Sequence, residues 1–293
     1  MESILAQEDV DLSVLIRDDG SKDNTISILN DYCSRYNNIM LMDGNENLHS
    51  GNSFMKLLYQ AGEHCSEKYD FYAFADQDDI WLKHKLSRAI ELLEACGNTE
   101  ESLLYCSNQT IYKNGTQCGL RFDGAPELDL TSVINSNKVS GCTFVMNKAL
   151  MDQICSAPHP GEGLMLRRMH DVWVVIAALC SGKVVYDEQS YILYRIHDNN
   201  VVGIKKKSAF EQIKIYWKNL TDKAHGNYRS WTAQEALRAF TKTQGRNREV
   251  LEELSYYRTD PQMKKKLLRD IDTLSKIDVS VFKAKIKIVL NLL

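Results

Sequence analysis

The stretch FADQDDIW, residues 74 to 81, ends an apolar run that begins at Tyr69 and sets Asp76, Asp78 and Asp79 just before Trp81. Like charges this close repel and raise one another's pKa unless something positive sits between them. The apolar run reads as a buried strand. Carboxylates clustered at a strand end have two ordinary explanations. One is a solvated turn, with Asp79 capping a helix that starts near Trp81. The other is a site for a hard cation, since Mg2+ and Mn2+ prefer oxygen ligands and bridge one or two carboxylates to substrate phosphates.

Outward from this stretch the pattern alternates. Val10–Ile16 reads as a strand, Asp18-Asp19-Gly20-Ser21 as a turn, and Asp23-Asn24-Thr25 as the start of a helix carrying Ile26, Ile28, Leu29 and Tyr32. Ile39–Met42 is a second strand. The polar loop Gly44–Gly51 leads into a helix over Asn52–Cys65, and Tyr69–Ala75 is the third strand. Trp81–Cys96 has helical spacing at Leu82, Leu86, Ile90 and Leu93. Leu103–Ser107, Gln109–Tyr112, Lys183–Tyr186 and Tyr191–Ile196 read as further strands. Strands alternating with helices indicate an α/β fold with a mostly parallel sheet. Ligands bind such sheets at the carboxyl ends of strands, which puts Asp18-Asp19 and Asp76–Asp79 on one expected rim.

Two later segments carry similar chemistry. MHDVW, residues 169 to 173, opens a strongly apolar helix, Val172–Cys180. Asp171 there is either an N-terminal cap or a carboxylate held at the mouth of a site as a general base. YRIHDNNVVG, residues 194 to 203, follows a strand pair. Its His197 is either a surface histidine or, with Asp78 nearby, a metal ligand.

The charge is unevenly spread. Residues 1–204 hold 16 Lys and Arg against 29 Asp and Glu, a balance of −13, whereas residues 205–293 hold 20 against 10, a balance of +10. Two parts with different partners are expected, with a boundary near 200–207. The tail reads as long helices over 208–221, 230–257 and 261–275, with basic runs at Lys205–Lys207 and Lys264–Lys266. Its last stretch, KIDVSVFKAKIKIVLNLL, admits two readings. One is an amphipathic helix on an anionic membrane surface. The other is a helical subdomain packed on the catalytic part or on a partner chain. No helix-turn-helix, zinc-finger or RNA-binding signature is present, so nucleic acid is not an expected partner. The eight cysteines form no CxxC pair and no zinc spacing, and several lie in apolar stretches. They are expected to be reduced core residues of a cytosolic protein. No signal peptide opens the chain and no apolar run is long enough to span a membrane.

Taken in order, DDGSKDNT, FADQDDIW, SGCTFVMNK, HDVW and YRIHDNN resemble the family 2 glycosyltransferases of the GT-A fold, most closely the bacterial branch of rhamnosyltransferase type that builds cell-surface polysaccharides. The resemblance covers residues 1 to about 203 and implies a GT-A domain over 1–204 followed by a basic helical region over 205–293. It implies an inverting, metal-dependent transfer of a sugar from a dTDP- or UDP-linked donor to a glycan or lipid-linked glycan acceptor. Asp78 would be the metal ligand, Asp76 would lie near the ribose or sugar, and Asp79 would support the metal shell or cap the helix. One of Asp18 and Asp19 would contact the nucleoside. Asp171 matches the acceptor-side base, and His197 a histidine that completes the metal or diphosphate site. Arg195 stands near enough in sequence to help bind phosphate. Gly141, within Ser140–Thr143, matches a segment where small residues let substrate approach the backbone. Trp81 and Trp173 either stack on a sugar or pack in the core. The implied location is cytoplasmic, with peripheral contact at the inner face of the cell membrane if the tail is interfacial.

The resemblance also implies a further strand and a Thr/Ser-Tyr-Asn loop ahead of MESILAQ, so this sheet is expected to lack a central strand and to be poorly stable and weakly active. A nucleotidyltransferase would share the carboxylate–metal logic. It would also show a Gly- and Arg/Lys-rich phosphate loop near its start, and none is present. A non-catalytic glycan-binding or scaffolding relative is the reading from another class, and substituting Asp171 separates it from a catalyst.

Overall fold

A computed structural model describes residues 1–42, 44, 46–65, 68–98, 100–196 and 228–293. His197, Lys205–Lys207 and the helix expected over 208–221 lie outside the described residues. The chain opens with α1 (Glu2–Leu5), β1 (Val14–Arg17), α2 (Thr25–Arg35), β2 (Ile39–Met42) and α3 (His49–Cys65). Next come β3 (Phe71–Ala73), β4 (Ile80–Trp81), α4 (Lys85–Glu94), β5 (Ser102–Lys113) and β6 (Thr116–Leu120). α5 (Leu130–Ser136), a 3-10 turn (Gly141–Thr143), β7 (Val145–Asn147), α6 (Lys148–Ser156), α7 (Glu162–Ser181) and β8 (Gly182–Arg195) complete the α/β part. The tail contributes α8 (Tyr228–Ala239), α9 (Gly245–Tyr256), α10 (Pro261–Leu267), α11 (Ile271–Ile277) and α12 (Val281–Val289).

The α/β class holds, but the pairing is mixed rather than mostly parallel. The main sheet runs β3-β7-β5-β8-β4, with β6 on β5. Its backbone is the long parallel pair β5–β8, from Ser102 opposite Gly182 to Tyr112 opposite Arg195. The β3–β7, β5–β7, β4–β8 and β5–β6 pairs are antiparallel. β1 and β2 form a separate parallel pair. The Tyr69 hydroxyl donates to Ser13 Oγ at 2.6 Å, a side-chain link between the segments that lead into β3 and β1.

Sequence boundaries shift where tertiary pairing overrides local spacing. β5 and β8 are single strands in place of two pairs of short ones, and their register shifts occur around Ser107–Thr110. The helix expected from Trp81 begins at Lys85 instead, because Ile80 and Trp81 pair with Leu193 and Ile192 of β8. In the tail the expected 230–257 helix breaks before Gly245, whose φ of +58° an L residue rarely adopts. α10 starts on Pro261 with Asp260 accepting the Gln262 and Met263 N–H groups, a capped N-terminus of the usual kind.

The core crosses from the sheet into the tail. β5 contributes Leu104 and Cys106, α7 contributes Val172–Ala178, and the tail contributes Ala233, Phe240, Leu251, Leu274 and Ile288, all in one buried cluster. Trp173 is 1% exposed, with its ring 5.3 Å from that of Phe240. Trp81 is 6% exposed beside Cys142 and Ile192. Both tryptophans therefore pack in the core rather than offer a face to sugar. Among the described residues no helix is long and apolar enough to cross a membrane.

Candidate active site

The FADQDDIW loop connects β3 to β4, and pairing at both ends fixes it. β3 holds Phe71–Ala73 against β7, and β4 holds Ile80–Trp81 against β8. The backbone N–H of Arg195, at the end of β8, donates to Asp79 Oδ1 at 3.1 Å. Asp79 is thus a tie between the loop and β8, not a helix cap. The same bond brings Arg195, one of the expected phosphate-side residues, to the acidic loop.

Asp76, Asp79 and Cys142 each offer a ligand atom within 4.8 Å of the others. Burial pushes Asp76 up to about 7, and repulsion from Asp79, Asp78 and Asp171 adds to it. Burial also pushes Asp79 up to about 6, against the pull of the Arg195 N–H. The structure therefore draws Asp76, Asp78, Asp79 and Asp171 into one electrostatic group, although Asp171 lies on another element far along the chain. Burial pushes the Cys142 thiol well above its usual range, so it stays protonated and is a poor donor to a hard cation. Carboxylate oxygens are the donors such a cation prefers. The buried Asp79 Oδ2, which has no hydrogen-bond partner, is an atom that a cation or its water can satisfy. The donor set fits a divalent cation held by Asp76 and Asp79; Asp78, the expected metal ligand, is not among the three residues whose ligand atoms lie together. His197, the other expected ligand, lies outside the described residues.

Lys85 is a residue that sequence spacing does not reveal. It is 1% exposed at the start of α4, and its Nζ lies 3.9 Å from the Trp81 ring centroid without a hydrogen-bond partner. Burial lowers it to about 8, while Cys142 and Asp79 pull the other way. At neutral pH it remains a cation next to the acidic loop and offsets part of the carboxylate repulsion. Behind Cys142 stands a second polar set. Gln109 Nε2 donates to Cys142 Sγ at 3.1 Å, and Arg121 Nη1 donates to Gln109 Oε1 and, at 2.8 Å, to Ser140 Oγ. The Arg121 guanidinium also lies 5.3 Å from the Tyr194 ring centroid.

Asp171 owes its place to a break in α7. Met169 has φ 64° and ψ 160°, so the helix is two segments meeting at a kink. The second segment starts at His170-Asp171, where Asp171 Oδ1 accepts the Val172 N–H at 2.7 Å. Burial pushes Asp171 up to about 6, offset by that N–H and by the Arg168 guanidinium and the Asn137 side chain. Arg168 is itself tethered through Nη2 to the carbonyls of Val133 and Ile134 at 3.0 and 2.8 Å. His170 is buried, stacked on Phe54 at 4.2 Å and edge-on to Phe74 at 4.9 Å. Neither of its ring nitrogens has a hydrogen-bond partner, and burial lowers it to about 3, so it is neutral.

Gly141 acquires a packing reason. A Cβ there would meet His170 Nε2 at 2.5 Å, so glycine is what lets the 3-10 turn lie against the imidazole. Asp18 and Asp19 are engaged locally. Asp18 accepts the Gly20 and Ser21 N–H groups at 2.9 and 2.8 Å and the Ser21 hydroxyl, and these bonds hold it low despite its burial. Asp19 accepts the Leu48 N–H at 3.1 Å and pairs with Arg17, which together outweigh its burial and hold it low as well.

Residues 1–148 match the family model described as glycosyl transferase family 2. The dTDP-rhamnosyl transferase RfbG of Shigella flexneri is 30% identical over 224 residues, covering 73% of this chain and 74% of that protein. The Escherichia coli UDP-Glc:alpha-D-GlcNAc-diphosphoundecaprenol beta-1,3-glucosyltransferase WfaP is 25% identical over 229 residues, covering 77% and 81%. In fold, the chain is similar to the crystal structure of S. aureus TarS 1-349 in complex with UDP, with a TM-score of 0.52 over 99% of this chain and 83% of that one, at 17% identity.

Proposed function

Because the chain belongs to glycosyl transferase family 2 and has the GT-A fold, we propose that it transfers a sugar from a nucleotide-diphosphate donor to a glycan acceptor, inverting the anomeric centre. The observation that carries this reading is the convergence of Asp171 with Asp76, Asp78 and Asp79 in one electrostatic group. In a single displacement the acceptor oxygen bonds to the anomeric carbon while the bond from that carbon to the diphosphate oxygen breaks. The acceptor hydroxyl proton passes to Asp171, and the diphosphate leaves with the bonding electron pair. A carboxylate raised to about 6 suits that role, being ionised at neutral pH yet more basic than a solvated one. Asp76 and Asp79, with Asp78 as the further expected ligand, would hold Mg2+ or Mn2+, which would supply charge neutralisation of the leaving diphosphate. Arg195 is the proposed phosphate contact, Asp18 or Asp19 the nucleoside contact, and His197 a further ligand of the metal or diphosphate.

The name of the Shigella flexneri relative makes dTDP-rhamnose the first donor to try, with UDP-glucose second. The Escherichia coli relative's name supports a lipid-linked diphosphate glycan as acceptor. The test is Asp171→Asn with a donor and acceptor pair that the wild type uses. Turnover should fall by at least about a hundredfold while donor affinity is kept. The wild-type kcat should fall as pH drops below about 6, as Asp171 takes up a proton. An Asp171→Asn variant with near wild-type kcat would remove the residue from the chemistry.

A further inference from the structure

The last helix, α12, has two apolar faces and only one is covered. Ala284 and Ile288 are buried against the tail's core. On the opposite side Phe282, Ile286, Val289 and Leu290 recur at i, i+4, i+7 and i+8 and are 72%, 42%, 56% and 59% exposed. Val279, just before the helix, is fully exposed. On a helical wheel of the observed α12, Lys285 borders this stripe on one side, and Lys283 and then Lys287 border it on the other. The chain leaves the preceding helix at Ile277 and re-enters helix at Val281. Asp278 accepts an ion pair from Lys287 at 2.6 Å in that break. Lys264 of α10 fixes the far end of α12 by donating to the Val289 carbonyl at 3.1 Å and Asn291 Oδ1 at 3.0 Å. The ridge is therefore held outward by a packed scaffold.

We propose that this ridge docks the protein on an anionic bilayer surface, with Phe282, Ile286, Val289 and Leu290 entering the headgroup boundary and Lys283 and Lys285 meeting lipid phosphates. An apolar stripe bordered by lysine on both sides is the pattern of an in-plane interfacial helix, since lysine stems lie along the apolar phase while their ammonium groups reach the charged plane. A protein partner is the poorer fit, because lysine is depleted at protein interfaces. A second copy is poorer still, since a two-fold contact would set lysine rows against one another. The tail's balance of +10 acts in the same direction, because an anionic leaflet attracts nearby basic residues. This inference stands apart from the catalytic reading and is tested without donor or acceptor.

The full chain is sedimented with phosphatidylcholine vesicles and with vesicles containing an anionic phospholipid. Binding to the anionic vesicles alone, weakened by added salt, is the expected result. Phe282→Ser with Ile286→Ser should abolish that binding. Lys283→Gln with Lys285→Gln should weaken it about thirtyfold, from the typical worth of two lysines near such a surface. Phe282, Lys283 and Ile286 are exposed and Lys285 is half-buried, so both variants should keep the wild-type circular-dichroism melting curve, which is recorded alongside. Equal binding to both vesicle types, no binding, or binding unchanged in the variants would overturn the proposal. So would a concentration-dependent dimer that the Phe282→Ser, Ile286→Ser variant dissolves, since it would assign the ridge to a second copy.

Discussion

Asp76 is where the site's opposing demands meet. Its carboxyl is pushed up to about 7 by burial and three neighbouring carboxylates, against an ordinary value of 3.8. A group whose folded-state pKa is raised contributes stability below its unfolded value, and that contribution is lost as pH rises through the folded value. Replacing Asp76 by Asn should therefore stabilise the metal-free protein, with a gain that grows between about pH 4 and pH 7. Thermal melting of both proteins across that range measures it, and a difference independent of pH would contradict the assignment. The cation should act in the opposite sense on the proton: Mn2+ binding near pH 6 should release a proton from Asp76. Calorimetry in two buffers of different ionisation enthalpy reads that release directly. Lys85 supplies a fixed positive charge in the same neighbourhood, and this partly answers how the chain tolerates its DQDD loop without a metal.

At the scale of the element, the kink at Met169 and the turn at Gly141 form one device. The kink starts the helix segment that presents Asp171, and the turn leaves room for His170 beside it. Gly141→Ala should cost roughly 1–3 kcal/mol by overpacking against the imidazole. It should lower kcat as well, because His170 cannot yield without moving Asp171. Denaturant unfolding and a kcat measurement on one preparation test both, and a variant with wild-type kcat would uncouple the turn from the base. The acidic motifs, the Ile39–Met42 strand and the helix opening near Thr25 were legible in sequence, because strand ends, caps and carboxylate spacing are local signals. The kink carries no Gly or Pro to announce it. Lys85 reads as one more helix-surface lysine, and only the β4–β8 pairing turns it inward. The β4 strand itself is two residues long, too short for any periodicity. Mixed pairing in the main sheet was equally hidden, since strand direction depends on partners far apart in the chain.

For the whole molecule, the shared core matters more than the charge boundary. The sequence divides near residue 204 by charge, yet Trp173 of α7 packs on Phe240, just past α8, and Asn247 Nδ2 donates to the Leu179 carbonyl at 2.6 Å. Asn135 of α5 likewise donates to the Lys276 carbonyl at 2.7 Å. Phe240→Ala should cost about 3–5 kcal/mol. It should lower the melting temperature in a single transition for sheet and tail together. Two separated transitions in calorimetric melting would show that the tail folds on its own. The charge boundary therefore does not divide the core, which the sheet and the tail share.

Metal-dependent nucleotide binding is read by calorimetric titration of UDP and dTDP into the purified chain, with and without Mn2+, alongside an Asp78→Ala variant. The wild type should bind at least one nucleotide in a Mn2+-dependent manner, and the variant should lose that binding. Tight binding that ignores both Mn2+ and the substitution would contradict the proposed metal site.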